Sequence, residues 1–453
     1  MISGRNIAIF GFGKEGQTSA NYLGKSNQIT IIDEKDKDDI DNNFFKNLRI
    51  KNAHFSFGHQ IPQNLRFDYV VRSPGVRPDN FKINSLVKSG AILTSATKIF
   101  FDACPCQIIG VTGTKGKGTT ASLIHQILKS QSSNVYLAGN IGTPALEILP
   151  ELTRDSTVVL ELSSFQLLDL KKSPHIAVVL MITSEHLDWH KDQNDYRTAK
   201  ESIVAFQSKD DFAVINWDFQ AARSMVQKTK AHVYYFSTEG KTNGTYLLSD
   251  KIISKINGFE EICTTSQILL PGKHNLQNIL AAVAVAKIQK IENSKIVRVL
   301  SMFKGLAYRL QLVREINKVK FINDSYSTIP ETAIAAIEAF ENPKVLILGG
   351  SSKNSNFSKL GQKISQDNSI KAIILIGQEA KRIKKAIVSS GGVKAKIIEG
   401  AKNMHQIVSL AYLEAKPGDV IILSPACASF DMFKNYQDRG MQFTNEVQNL
   451  KGK

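Results

Sequence analysis

The chain is poor in cysteine, which excludes several classes of protein. Only four of its 453 residues are cysteines, namely Cys104, Cys106, Cys263 and Cys427. A single proline separates Cys104 from Cys106, which is too close for an easy disulfide, and no second pair completes a zinc site. We therefore expect four reduced thiols, as is usual in the cytoplasm.

Long apolar runs, targeting signals and repeats are also lacking. The longest purely apolar run, Ile279–Ala286, has eight residues and is too short to cross a bilayer. The apolar stretch Ile7–Phe10 is followed at once by Gly11, which does not fit a secretory signal. We find no low-complexity segment and no repeat with a period of about 20 to 50 residues. These absences predict a cytoplasmic protein without a membrane partner.

Positive charge is in excess but is not concentrated. The chain has 57 Lys and Arg against 41 Asp and Glu, a formal net charge of +16. A basic nucleic-acid-binding protein is one interpretation. The lysines are scattered, however, without a long basic block or an interleaved aromatic stripe. This favours a solvated surface that helps to attract anionic substrates, and no nucleic-acid partner.

A glycine-rich stretch stands out between a predicted buried strand, Gln107–Ile109, and a segment with helical apolar spacing. Its residues are Gly113, Thr114, Lys115, Gly116, Lys117, Gly118 and Thr119. Such a loop and the positive end of the next helix suit a polyphosphate, with Lys117 on the terminal phosphates and Thr119 on magnesium. Val111 and Gly118 break the strict P-loop pattern. The alternative, a turn without a nucleotide, is less favoured because of the flanking strand and helix.

The N-terminal segment contains a second glycine turn. The strand Asn6–Phe10 enters Gly11–Gly16, a G-x-G-x-x-G turn, and a second strand ends on Asp33, about 20 residues later. The pattern predicts a Rossmann-like fold with an acid near a ribose or base. Taken alone the motif is weak, and a purely structural turn is an equal alternative.

Polar residues follow three apolar strands of the middle segment. The tetrapeptide Gly139–Gly142 follows one strand, Glu161 ends the next, and His186 comes shortly after the apolar run Ile176–Ile182. Ligands bind at the carboxyl ends of strands in open α/β sheets. Glu161 and His186 would then share magnesium or phosphates with Thr119. The alternative is that Glu161 caps the next helix and that His186 is an ordinary loop residue.

Strands and helices alternate to the end of the chain, which predicts an α/β protein with boundaries before the phosphate loop and near Gly305–Arg309. The predicted domains are 1–104, 105–307 and 308–453. Several longer motifs resemble the Mur ligases of peptidoglycan synthesis: Gly139–Pro144, Leu160–Leu167, Glu185–Asp188, Gly272–Asn278 and Leu423–Arg439. The resemblance implies a Rossmann-like N-terminal domain for a UDP sugar, a central P-loop-type ATPase domain with a mostly parallel sheet, and a C-terminal Rossmann-like α/β domain for an amino acid.

The motifs are most similar to those of the family members that add D-glutamate to UDP-N-acetylmuramoyl-L-alanine. The resemblance therefore implies an ATP-dependent amide ligase that forms an acyl phosphate, uses two Mg²⁺ ions and acts as a monomer. Addition of another amino acid, such as L-glutamate, is an alternative. A non-catalytic nucleotide-binding protein is another, which the retention of Lys117, Glu161, His186 and Lys200 disfavours.

The resemblance also assigns residues to roles. Those expected to be catalytic are Lys117, His186 and Lys200. Those expected at magnesium are Thr119, Glu161, His186 and Lys200, the last as a carbamate. ATP contacts beyond the loop are expected at Asn275, Asn278, Arg309 and Asp324. Expected contacts to the UDP sugar are Lys14, Glu15, Gly16, Asp33, Lys35, Ser73, Asn140 and Ser163. Expected contacts to the amino acid are Lys353, Ser429 and Tyr436.

This sequence departs from the family pattern at several of these motifs. The departures are Lys115 for an Asn and the added Gly118 in the loop, Glu185 for an Asp, Tyr308 for a His, and Tyr326 for a Lys. The related folylpolyglutamate synthetases also have a glycine after the loop lysine. Tyr326 is the largest change, because the family lysine is expected near glutamate and phosphate.

Overall fold

The computed structural model describes residues 2–40, 42–50, 53–58, 66–187, 189–270, 272–352 and 355–451, without the side chains of Lys273 and His274. Three sheets flanked by helices confirm the predicted α/β class. The chain forms two compact units. The first consists of Met1–Gln267 and Leu276–Leu300, and the second consists of Ile268–Asn275 and Ser301–Lys453. The domain limits at 104/105 and 307/308 stay predictions. No helix in the described part of the chain is both long and apolar enough to cross a membrane.

The first sheet is parallel, with the order β3-β2-β1-β4-β5. Its elements are β1 (Asn6–Phe10), α1 (Lys14–Leu23), β2 (Gln28–Asp33), α2 (Asn42–Lys46), β3 (Ala53–Phe57), β4 (Tyr69–Arg72), α3 (Phe81–Lys88), β5 (Ile92–Ser95) and α4 (Ala96–Ala103), with a 3₁₀ turn at Lys37–Asp39. The central strands are almost wholly buried because helices cover both faces, as is usual for parallel sheets.

The second sheet has nine strands in the order β14-β13-β12-β11-β10-β9-β6-β8-β7. Its strands are β6 (Gln107–Thr112), β7 (Val135–Gly139), β8 (Thr157–Glu161), β9 (Ile176–Val179), β10 (Phe212–Asn216), β11 (His232–Ser237), β12 (Gly244–Leu248), β13 (Lys251–Ser254) and β14 (Glu260–Thr264). The helices are α5 (Lys117–Lys129), α6 (Ala145–Ile148), α7 (Ser164–Leu167), α8 (Gln193–Ala205), α9 (Gln220–Arg223), α10 (Lys273–Ile288) and α11 (Asn293–Met302), with 3₁₀ turns at Leu149–Glu151, Ser224–Lys228 and Thr265–Gln267. Only the β12–β13–β14 part of this sheet is antiparallel.

The third sheet has the order β15-β16-β20-β17-β18-β19. Its elements are β15 (Gln311–Ile316), β16 (Val319–Asn323), α12 (Pro330–Glu338), β17 (Lys344–Gly349), α13 (Ser358–Gln366), β18 (Ile370–Ile376), α14 (Ala380–Ser389), β19 (Lys396–Ile398), α15 (Met404–Glu414), β20 (Val420–Leu423) and α16 (Tyr436–Asn449). Only the β15–β16 pair is antiparallel. Buried clusters on both faces of the sheet form the core of this unit.

One predicted strand differs from the structure near the phosphate loop. The strand predicted over Ile176–Ile182 ends at Val179. Beyond the strand, the Met181 carbonyl accepts a hydrogen bond from the Thr114 amide at 2.7 Å. Helix α8 starts at Gln193, where the Asp192 side chain caps it.

Candidate active site

The phosphate loop connects β6 to α5 and closes against α10. Gly116 precedes the first residue of α5 and has a φ of +84°, a conformation that favours glycine. A Cβ at this position would lie 2.2 Å from Asn278 Oδ1, which also accepts from Thr120 Oγ1 at 3.2 Å. The structure therefore brings Asn278 to the loop, as the resemblance implied. Gly118 and Thr119 lie in the buried first turn of α5.

Thr114 anchors the loop to the protein behind it. Its hydroxyl oxygen accepts from the Thr183 amide at 2.9 Å and lies 3.0 Å from the Tyr196 hydroxyl. Thr114 is therefore buried and supports the loop from behind. Tyr196 was not singled out from the sequence, since a helical tyrosine gives no local signal of a role in a loop.

Lysine side chains converge on the same loop. Lys117 Nζ donates to the carbonyls of Gly113 and Thr114 at 2.9 and 3.0 Å. Lys200 Nζ donates to the Gly113 carbonyl at 3.0 Å and approaches Thr112 Oγ1 at 3.3 Å. Two lysine amines therefore share one carbonyl oxygen at the place where a polyphosphate would bind.

Lys200 is in the middle of α8 and only 1% exposed, so it is not the solvated lysine that a helical position usually implies. Burial lowers its pKa well below the ordinary value, and the positive charge of Lys117 adds to this effect. A lowered pKa favours the neutral amine, the form that reacts with carbon dioxide. The surroundings of Lys200 therefore fit the carbamate that the resemblance implied, which stays a prediction.

Glu185 and His186 lie in the segment that follows β9. Glu185 forms an ion pair with Lys115. Burial raises the pKa of Glu185, but the hydrogen bond and charge of Lys115, with Lys117 and His186, hold it below its ordinary value. His186 has a φ of +59°, and its carbonyl accepts from the amides of Trp189 and His190 at 3.1 and 2.9 Å. These two bonds hold a backbone conformation that is uncommon for histidine.

Glu161 ends β8 and is only 3% exposed. Its Oε1 accepts from Asn140 Nδ2 at 2.9 Å, while its buried Oε2 has no hydrogen-bond partner in the described part of the chain. An unpaired buried carboxylate oxygen fits a cation ligand. The alternative that Glu161 caps the next helix is wrong, because Ser163 caps α7 in a capping box with Gln166.

The described residues contain no group of three or more His, Cys, Asp or Glu side chains placed as at a metal site. The predicted magnesium ligands include only one carboxylate and one histidine, alongside Thr119 and Lys200. Their role at magnesium stays a prediction, supported by the unpaired oxygen of Glu161.

A cavity of about 430 Å³ lies at the glycine turn of the first sheet. Of the residues predicted to contact the UDP sugar, it is lined by Lys14, Glu15, Asp33, Lys35 and Ser73. Gly16 lies behind it, where a Cβ would be 2.0 Å from the Gly11 carbonyl oxygen. The structure therefore gathers most of this predicted set at one cavity.

Several of these side chains already serve the protein itself. Asp33 accepts from the amides of Phe12 and Lys35 at 2.6 and 2.9 Å, and Ser73 Oγ donates to the Gly11 carbonyl at 2.6 Å. Asp33 and Ser73 therefore hold the turn in shape, which the alternative of a structural turn also implied. Lys14 Nζ reaches the Gly142 carbonyl at 2.9 Å, while Lys35 is exposed.

Glu15 links this cavity to the loop after β8. Its Oε1 accepts from Gln166 Nε2 at 2.6 Å, and Gln166 Oε1 accepts from the Ser163 amide at 2.9 Å. Burial raises the pKa of Glu15 to about 7, although Gln166 and Arg72 act in the opposite direction. Glu15 Oε2 is a second buried oxygen with no partner in the described ranges.

The second compact unit contains the remaining predicted residues. Asp324 follows β16 and accepts from the Leu310 amide at 3.1 Å, from Ser424 Oγ at 2.8 Å and from the Ser327 hydroxyl. Burial raises the pKa of Asp324 to about 6. Asn275 is also buried. Asp324 therefore organises the loops around Arg309 in addition to any contact with a ligand.

Tyr326, in place of the family lysine, forms an aromatic group with its neighbours. The Arg309 guanidinium lies 3.8 Å from the centre of the Tyr326 ring, and this ring meets Tyr436 edge-on at 5.2 Å. Ser429, which follows β20 in the sequence, is also buried. Lys353 lies outside the described residues, so its predicted contact with the amino acid has no structural test.

The loop between β6 and α5 defines the class of α/β proteins that carry a phosphate-binding loop. Residues 111–286 match the family model of the Mur ligase middle domain, and residues 308–427 match the Mur ligase, glutamate ligase domain. On these grounds and on the relatives described next, the chain belongs to the Mur ligase family.

Two relatives and two solved structures illustrate the match. The chain is 38% identical to the UDP-N-acetylmuramoylalanine–D-glutamate ligase of Acetivibrio thermocellus, covering 99% of this chain and 97% of the relative. It is 35% identical to the same-named protein of Clostridioides difficile, covering 99% and 100%. The fold is similar to the UDP-N-acetylmuramate-alanine ligase of Thermotoga maritima (TM-score 0.60, 17% identity, 99% and 100% covered) and to the MurF ligase of that organism in complex with ADP (0.58, 18%, 97% and 98%).

Proposed function

We propose that the protein is an ATP-dependent ligase that joins D-glutamate to UDP-N-acetylmuramoyl-L-alanine in peptidoglycan precursor synthesis. The observation that carries the proposal is its similarity, over nearly its full length, to relatives named for this reaction. We further propose that it acts as a monomer in the cytoplasm, where ATP is available, without a nucleic-acid or membrane partner.

The reaction must activate a poor electrophile. The alanine carboxylate attacks the γ-phosphate of ATP and displaces ADP, which gives an acyl phosphate. The glutamate amine then attacks the acyl carbon, loses a proton and displaces phosphate. Both reactants of the first step are anions, so positive charge at the loop lowers the barrier. Lys117 and Lys115 would contribute this charge, once Lys117 turns from its loop carbonyls to the phosphates.

The residues near the loop fit magnesium. Thr119, Glu161, His186 and carbamylated Lys200 would hold two ions, and the support for this set is the unpaired Glu161 oxygen and the lowered pKa of Lys200. Bound magnesium neutralises the phosphates that approach the carboxylate. Carbamylation converts Lys200 from a cation into a carboxylate-like ligand, which explains a buried lysine beside a metal.

The UDP sugar would bind across the first unit. The cavity at Lys14, Asp33 and Lys35 has charges of both signs, which suits a uracil, ribose and diphosphate. Asn140 and Ser163 would contact the alanine end, since Asn140 is bonded to Glu161 and Ser163 follows it by two residues.

D-glutamate would be recognised by Lys353, Ser429 and Tyr436. We expect Lys353→Ala to raise the KM for D-glutamate about tenfold, because charge-assisted bonds to carboxylates are the stronger class. Initial rates against glutamate concentration, at saturating ATP and UDP sugar, measure this effect. Lys359→Ala, at an exposed lysine of α13, is the control. An unchanged KM in Lys353→Ala would remove Lys353 from the site.

The whole proposal is tested by offering the purified protein UDP-N-acetylmuramoyl-L-alanine, MgATP and a panel of amino acids. Phosphate release and product mass are measured for each amino acid. We expect release only with D-glutamate and a product one glutamyl residue heavier. Turnover with L-glutamate or a cationic amino acid would overturn the assigned substrate, and no turnover with any amino acid would overturn the ligase activity.

A further inference from the structure

Three side chains form a hydrogen-bonded series that the ligase reaction does not use: Ser164 and His190 are buried, and Asp195 is partly exposed. His190 Nδ1 lies 2.9 Å from Asp195 Oδ2, and His190 Nε2 lies 2.9 Å from Ser164 Oγ. A carboxylate only accepts, so Nδ1 carries the proton and Nε2 of the neutral ring accepts from the Ser164 hydroxyl. The order is that of a hydrolase triad, but Ser164 is only 2% exposed, so no substrate carbonyl can reach it.

The His190 ring joins two loops that carry predicted metal ligands. Ser164, its partner at Nε2, is the first residue of α7 and follows Glu161 by three residues. On the other side, the His190 amide is one of the two that hold the His186 carbonyl. A displacement of this ring would therefore change the separation between Glu161 and His186.

The same ring also reaches the phosphate loop. Its edge packs on the Tyr196 ring at 5.2 Å between centres, and the Tyr196 hydroxyl is bonded to Thr114. His190 is thus linked to the loop of Glu161 through its ring, to His186 through its amide, and to Thr114 through the Tyr196 side chain.

The series continues into the first sheet through Arg77. Arg77 Nη1 donates to Asp195 Oδ2 at 3.0 Å and to the Trp189 carbonyl at 3.1 Å, and its guanidinium covers the Trp189 ring. Trp189 Nε1 donates to the carbonyl of Gly75, at 2.8 Å, and Gly75 lines the 430 Å³ cavity.

We propose that Arg77, Asp195, His190 and Ser164 form a positioning series that sets the spacing of Glu161 and His186 and ties it to the wall of the UDP-sugar cavity. The proposal rests on the proposed function for the role of Glu161 and His186 as metal ligands. None of the four residues is assigned a contact with the reactants; each acts through a neighbour.

The test measures metal binding without turnover. Binding of Mn²⁺ to the protein with saturating ADP is followed by electron paramagnetic resonance for wild type, His190→Phe and Asp195→Asn. His190→Phe keeps a planar ring but removes both ring hydrogen bonds. We expect Mn²⁺ affinity to fall about tenfold in both variants, as for other groups that orient metal ligands. His190→Gln, which keeps an acceptor towards Ser164, should recover part of the loss.

The matched control is His405→Phe. His405 on α15 also pairs with a carboxylate, Glu446, at 2.9 Å, but at the surface and in the other unit. We expect its Mn²⁺ affinity to equal that of wild type. Full Mn²⁺ affinity in folded His190→Phe would overturn the proposal, as would an equal loss in His405→Phe.

A second readout needs neither metal nor substrate. The chain has two tryptophans, so a Trp217→Phe background leaves Trp189 as the only indole emitter. Because Trp189 packs on Phe165 and Arg77, its emission should shift in metal-free His190→Phe and Asp195→Asn, and return towards wild type in His190→Gln. Unshifted emission would contradict the proposed movement of the ring.

Two further measurements keep the outcomes separate. If His190→Phe does not fold, Ser164→Ala removes only the hydroxyl and should weaken Mn²⁺ binding about threefold; unchanged binding there overturns the proposal. Wild type without ligase activity, but with Mn²⁺ binding that depends on His190, would overturn the proposed function and leave the positioning series supported.

Discussion

The first unit contains two strand–glycine turn–helix motifs that differ in the charged side chains beside the turn. In the turn of the first sheet, the Asp33 carboxylate accepts a hydrogen bond from the Phe12 amide, and Glu15 lines the same cavity as Asp33. In the turn of the second sheet, Lys117 and Lys200 lie on the Gly113 carbonyl. The same local backbone thus borders an acidic group in one case and a cationic group in the other.

This difference shows that a glycine turn does not choose its ligand alone. Asp33 comes from the end of β2 and Lys200 from the middle of α8, so the ligand preference of each turn is set by residues distant in sequence. The acid-containing turn suits the hydrogen-bond donors of a ribose or base, and the lysine-containing turn suits a triphosphate.

The largest expected effect is at Lys200. Lys200→Ala removes the buried lysine that would become a metal-ligating carbamate, so we expect ligase activity to fall about 1,000-fold. Acetate or formate, placed in the vacated space, should restore part of the activity. Lys209→Ala, at an exposed lysine beyond α8, is the control. A fully active Lys200→Ala enzyme would remove the main difference between the two turns.

Lys117 is next. We expect Lys117→Ala to lower kcat/KM at least about 100-fold, because a preorganised charge on the phosphates is lost. Steady-state kinetics with ATP measure this effect, and Lys129→Ala at the exposed end of the same helix should have normal kinetics. Near-normal turnover in folded Lys117→Ala would refute the assignment of the phosphate loop.

The first turn should respond to shape more than to charge. Gly16→Ala would place a Cβ 2.0 Å from the Gly11 carbonyl oxygen, whereas Gly13→Ala meets nothing within 4 Å. We expect Gly16→Ala to lower the free energy of unfolding by about 1–3 kcal/mol and Gly13→Ala by less than about 1 kcal/mol. Urea unfolding midpoints compare them, and equal midpoints would show that the close approach is absent in solution.

The smallest effect is the pH dependence of stability that Glu15 produces. Burial raises its pKa from 4.5 to about 7, so the folded state holds the proton more tightly than the unfolded state, and stability falls as pH rises from about 4.5 to about 7. Glu15→Gln removes this loss. Relative to wild type, it should gain about 1–2 kcal/mol between about pH 5.5 and 8.5.

Urea unfolding at the two pH values measures this gain. Glu147→Gln, at an exposed glutamate of α6, should show none. A Glu15→Gln variant whose stability runs parallel to that of wild type would mean that the Glu15 carboxyl is solvated.

Much of the local structure could be predicted from the sequence, because strands and helices have their own periodicities. The loop from Gly113 to Thr119, the strand ending at Glu161 and the alternation of the C-terminal segment all follow from short-range patterns. The family resemblance extended this to residues such as Asn278, which the structure places against Gly116. Errors occurred where a contact with another segment ended an element, as at Val179 and Met181.

By itself, the sequence determined the α/β class, the two glycine turns and the family, since these depend on local propensity and on motifs that are contiguous in the chain. Only the tertiary structure decided that Lys200 is buried, that Asp33 supports its own turn, and that His190 joins the loops of Glu161 and His186. The physical reason is that burial and hydrogen-bond partners depend on segments far apart in the chain, and these set the pKa and geometry of each group.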